Sequence, residues 1–83
     1  MLKLKKAFMK AKLEGLYIAI ELTVPGRKDT EIIIVQYSNL DYKLSYYINN
    51  YDERLVLNRC KDIKIINVYT IDSKIIKEMK GEK

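Results

Sequence analysis

The sequence predicts a single α+β domain, an antiparallel sheet with one central helix packed on a face. Three observations carry this reading. Apolar residues alternate with others over 16–24, the period of a strand with one face in a core. A β-branched run follows at Ile32, Ile33, Ile34 and Val35, the composition favoured in strands. The period then changes: Leu40, Leu44, Tyr47, Ile48 and Tyr51 stand at i, i+4, i+7, i+8 and i+11, the stripe of an amphipathic helix. The expected order is β-β-β-α-β-β, closed by a short C-terminal helical turn. The 83 residues form one domain, 1–83, because two half-length cores would each fall below the size that folds alone.

Residues 4–13 also alternate, with Ala7, Met9, Ala11 and Leu13 against Lys6, Phe8, Lys10 and Lys12. Glu14-Gly15 then suits a tight hairpin turn, since glycine accepts positive φ. A helix over 2–13 with Gly15 as its C-cap is the competing reading; the hairpin is preferred. The strand over 16–24 places Leu16, Ile18, Ile20, Leu22 and Val24 on one face. Pro25-Gly26 predicts a type II turn. A strand over 31–37 follows, apolar on both faces and so central or doubly covered.

The helix is expected over 39–52. Ser38 or Asn39 caps it, and Ser38 with Asp41 has the spacing of a capping box. Two more strands, 54–58 and 63–71, are joined by Arg59-Cys60-Lys61-Asp62. Asp72 or Ser73 then starts a last helical turn through Ile75, Ile76 and Met79. The sheet residues Leu16, Ile18, Ile20 and Leu22 are expected to meet Leu40, Leu44, Tyr47 and Tyr51.

Composition excludes several classes. The longest uncharged run, Ile32 to Leu40, is far short of the roughly 20 apolar residues of a spanning helix. The basic start leads into no apolar segment, so no signal peptide and no membrane partner are expected. A single cysteine, Cys60, fits a reducing cytoplasmic setting. With no histidine, there is no Ser-His or Cys-His pair and scant means to hold zinc or another transition metal. Pro25-Gly26-Arg27-Lys28 lacks the spacing of a phosphate-binding loop. An enzyme is not expected, nor a cofactor.

From Glu31 to Leu57 the chain reads Glu31-Ile32-Ile33-Ile34, Asn39-Leu40-Asp41-Tyr42-Lys43-Leu44, Tyr46-Tyr47, Tyr51-Asp52 and Leu55-Val56-Leu57. This segment resembles short proteins of phages and mobile elements of low-GC Gram-positive bacteria. The resemblance implies a genomic setting in which small proteins often work by binding, including as inhibitors of host defences. It carries no active-site residues to this chain.

Two surfaces are candidates for binding. Seven tyrosines are many for a chain without tryptophan, and Tyr42 and Tyr46 fall with Asn49 on the outer side of the helix. Exposed tyrosines anchor protein interfaces, because a large ring offers contact area at low entropic cost. With Arg27 and Lys28 at the turn, they form the expected site for a host or defence protein, bound stoichiometrically. The alternative is a single-stranded nucleic-acid platform. It is built on Lys6, Phe8, Lys10 and Lys12 of a first strand, with Tyr17 beside them and phosphates and stacked bases as ligands. A solvated outer face accounts for the same lysines. The net charge of +5 suits an anionic partner but does not choose one. A third reading is a module that sequesters an anionic nucleotide between protomers. Apolar character on both faces of 31–37 and 63–71 leads to an expected homodimer.

Overall fold

In the computed structural model, which describes residues 1–72 and 74, the chain runs α1 (Leu2–Glu14), β1 (Tyr17–Leu22), β2 (Glu31–Val35), α2 (Leu40–Asn50) and β3 (Ile65–Ile71). The class is α+β with an antiparallel sheet. The order differs from the expected one at its start and after α2.

Residues 2–14 are a helix, not the first strand of a hairpin. Between Met1 and Gly15 there is no β-branched residue, and Lys, Leu, Ala and Met are among the strongest helix formers. Leu4, Phe8 and Ala11, at i, i+4 and i+7, are its buried stripe. The helix ends where Gly15 turns left-handed at φ 69°, and the Leu16 N–H reaches the Ala11 carbonyl at 2.9 Å. That six-to-one bond is the signature of a glycine-terminated helix. The apparent alternation came from Lys6, Lys10 and Lys12 at even positions and has no structural counterpart.

Among the described residues the sheet has three strands in the order β2-β1-β3, both neighbours antiparallel to β1. In register, Ile18 lies between Val35 and Thr70, Ile20 between Ile33 and Val68, and Leu22 between Glu31 and Ile65. This row faces the helices. Ile18, Ile20 and Leu22 join Leu4, Phe8, Leu40, Tyr47 and Tyr51 in one core, with Leu16 and Leu44 packed at its margin. The expected meeting of 16–22 with the α2 stripe is present. A second helix, α1, shares the layer.

The opposite sheet face carries Tyr17, Ala19 and Glu21 between Ile32 and Ile34 on one side and Asn67, Tyr69 and Ile71 on the other. Glu21 pins this face. Its carboxylate accepts from the Thr30 hydroxyl beside β2 and from the Asn67 amide of β3 at 2.8 Å. A bulge between Glu21 and Leu22 leaves Ile66 without a partner in the register, and its side chain is exposed.

The Pro25-Gly26 turn forms as expected, with Gly26 at φ 74° and the Arg27 N–H on the Val24 carbonyl at 3.2 Å. Before α2 the chain makes a 3₁₀ turn over Tyr37–Asn39, so Ser38 lies inside it. Asn39 takes the N-cap position without a side-chain capping bond. The expected capping box is absent.

Residues 54–58 are not a strand. Asp52 folds the segment back, its carboxylate accepting the N–H groups of Arg54 at 2.8 Å and Val56 at 3.0 Å. Leu55 sits at φ 63° within that turn. Only isolated bridges remain, Tyr51 with Leu57 and Val56 with Lys64. The helical turn expected through Ile75, Ile76 and Met79 lies outside the described residues.

Candidate functional site

The helical layer holds the candidate site. Near the end of α1, the Lys12 ammonium bonds both Asp41 oxygens, at 2.8 and 3.0 Å, in the first turn of α2. At the opposite end, the Met1 nitrogen donates to the Glu53 carbonyl, beyond the end of α2, at 2.9 Å. The helices are therefore antiparallel. Between them runs a groove of about 330 Å³. Buried Phe8 and Leu40, with half-buried Leu44, form its floor, and exposed Met9 and Ile48 form its shoulders. Lys5 and the Lys12–Asp41 pair supply its polar rim.

The sequence of α1 makes this surface unusual. At 100° per residue, Leu2, Met9 and Leu13 fall on one line opposite the buried stripe, and all three are exposed, Met9 by 65%. Lys5 and Lys12 flank that line on the groove side; Lys3, Lys6 and Lys10 flank it on the other. Lys12 alone of these lysines is in an ion pair among the described residues. Its hydrogen bond to Asp41, then the attraction of that charge, raise its pKa further. The surface can receive apolar groups in a groove while offering cations to an acid at its edge.

The expected protein-binding residues are divided. Tyr42, Tyr46 and Asn49 form a stripe at i, i+4 and i+7 on α2, turned away from the groove. Tyr42 is 72% exposed. Tyr46 is half-buried, edge-on to Tyr47 with ring centroids 5.2 Å apart and the Lys43 ammonium 5.5 Å from its ring centre. Arg27 and Lys28 stand in the loop beyond the far end of β1, roughly a strand length of 17–20 Å from the α2 N-terminus. The fold does not bring them to the tyrosines.

The nucleic-acid platform does not assemble as drawn. Phe8 is only 2% exposed and cannot stack on a base, because it packs into the core against Tyr47. Lys6, Lys10 and Lys12 are exposed on a helix rather than a strand face. Tyr17 belongs to the sheet face opposite the helices. The strand reading of 4–13 hides Lys5 and Met9, and Ile48 belongs to the helical stripe read from the sequence without being one of its expected core contacts.

Among the described residues no three His, Cys, Asp or Glu side chains cluster as a metal site, and no helix is long and apolar enough to cross a membrane. No protein-family pattern, curated protein or solved structure matches this chain.

Proposed function

We propose that this chain is a non-enzymatic binding protein that holds an acidic, amphipathic helix of a partner protein in the α1–α2 groove. The observation that carries the reading is the groove itself, apolar inside, cationic at the rim and continuous with exposed Met9 and Ile48. An exposed apolar surface with a polar border is characteristic of an interaction site. A helix laid in such a groove inserts side chains at i, i+3 or i+4 and i+7, while its acids meet the lysines. The resemblance of 31–57 to short phage and mobile-element proteins supports a stoichiometric role against a host or defence protein, in the cytoplasm.

The test uses a helical peptide with leucines at i, i+3, i+4 and i+7 and glutamates elsewhere, followed by fluorescence anisotropy. The same peptide with lysines for glutamates and a single-stranded oligonucleotide serve as comparators. The acidic peptide binds tightest, and Met9→Asp weakens it at least about tenfold with the circular dichroism unchanged. Tight oligonucleotide binding with no peptide binding would replace this reading with the nucleic-acid one.

A further inference from the structure

The free edge of the sheet carries an inference independent of the groove. Among the described residues β2 pairs with β1 alone, so its other edge presents unpaired N–H and C=O groups. Strand edges in soluble proteins are normally blunted by lysine, proline, a bulge or a covering element. β2 reads Glu31-Ile32-Ile33-Ile34-Val35 and has none of the first two. The bulge of this sheet lies at Glu21/Leu22 against β3, away from that edge.

We infer that two copies of this chain pair through β2, antiparallel about a two-fold axis at Ile33, into one continuous six-stranded sheet. The strand is self-complementary in this register. Ile32 of one copy falls opposite Ile34 of the other, and Glu31 opposite Val35. Parity keeps every side chain on its own face, so the core rows stay core rows. On the outer face four isoleucines come together, where one copy leaves Ile32 47% exposed. Cross-strand apolar pairs of this kind are the unit of sheet stabilisation.

Charge favours a second copy over an unrelated strand. An antiparallel copy carries the loop with Arg27 and Lys28 alongside the second copy's Tyr37–Asn39 turn and the start of α2. There the carboxylate of Asp41, with its side chain 78% exposed, can share its charge between Lys12 and the arriving cations. Arg27 and Lys28 make no ion pair within one copy among the described residues. The loop cations and the α2 N-terminus, held apart in a protomer, become one composite patch in the pair. Of the groove residues only Asp41, its partner Lys12 and the neighbouring Leu40 lie near it, at the groove's end.

Sedimentation equilibrium on the full chain from micromolar to millimolar concentration tests this. The expected weight-average mass rises from 9.8 kDa towards twice that value. Ile32→Lys, at an exposed position, places two like charges beside the axis and shifts the midpoint at least about tenfold upwards. Met9→Asp leaves the midpoint unchanged. Amide exchange at β2 slows as concentration rises in the natural chain and not in Ile32→Lys, which separates lost pairing from lost fold. A mass of 9.8 kDa at every concentration overturns the proposal. So does a dimer that Ile32→Lys leaves intact or that Met9→Asp dissolves, since either places the interface elsewhere.

Discussion

The Phe8 ring meets the Tyr47 ring across the contact of α1 with α2, centroids 6.3 Å apart and planes inclined at 59°. Tyr47 also packs on Tyr51 at 5.4 Å and takes the edge of Tyr46 at 5.2 Å. Such tilted pairs contribute beyond the area they bury. Burial first, then its neighbours Tyr51 and Tyr46, push the Tyr47 phenol pKa upwards, so the ring enters the core neutral. Phe8→Ala should therefore cost about 3–5 kcal/mol of folding stability, as for a core aromatic. Urea unfolding checks it. A cost below about half a kcal/mol, the size of an ordinary surface change, would mean α1 is not docked through Phe8.

Gly15 gives a purely conformational test. Its φ is 69°, and a Cβ built there meets nothing within 4 Å. Gly15→Ala adds no clash and should still cost about 1–2 kcal/mol, the left-handed penalty of an L-residue. Gly15→Asn should cost less, because asparagine visits this region more readily. Equal costs for both would show that the helix ends in some other way.

Glu21 supplies a pH dependence whose sign is fixed by its partners. The Thr30 hydroxyl first, then the Asn67 amide, hold its pKa below the usual glutamate value in the folded state. A lowered folded pKa contributes stability that is present above the unfolded pKa and is lost as pH falls through the folded one. Stability should fall on acidification from about pH 6 to about pH 3, and Glu21→Gln should show a shallower fall. Asp52, held low mainly by the Val56 N–H, has the same sign and keeps part of the slope in the variant. Parallel curves for the two proteins would remove Glu21 as a contributor.

The legible parts of the fold are those where one period dominates. β1 and α2 could be read because Ile18, Ile20 and Leu22, or Leu40, Tyr47 and Tyr51, are buried at the spacing of their own element. The first helix was ambiguous because Met9 and Leu13 are apolar yet exposed, which fills a two-residue period as well as a helical one. The absence of any β-branched residue before Ile18 was the signal that could have decided it. Residues 54–58 have strand composition, but the Asp52 carboxylate captures two of their N–H groups, a competition that composition does not record. For the site, Tyr42 was found as an exposed helix residue. The groove was not, since it exists only between α2 and a helix read as a strand.

The two outward tyrosines of α2 should separate stability from binding. Tyr46 stands edge-on to Tyr47 and under the Lys43 ammonium, so Tyr46→Ala removes an aromatic pair worth about 0.5–1.5 kcal/mol beyond its buried area. Tyr42 is exposed and makes neither contact, so Tyr42→Ala should change stability by no more than about half a kcal/mol. Binding of the acidic helical peptide should follow a different order. Met9→Asp puts a carboxylate on the groove shoulder and should weaken it at least about tenfold, whereas Tyr42→Ala, outside the lining, should weaken it by about threefold or less. Measuring urea midpoints and peptide anisotropy on the same three variants distinguishes the two roles. If Tyr42→Ala abolishes binding while Met9→Asp is neutral, the partner sits on the Tyr42–Asn49 stripe and the groove is not its seat.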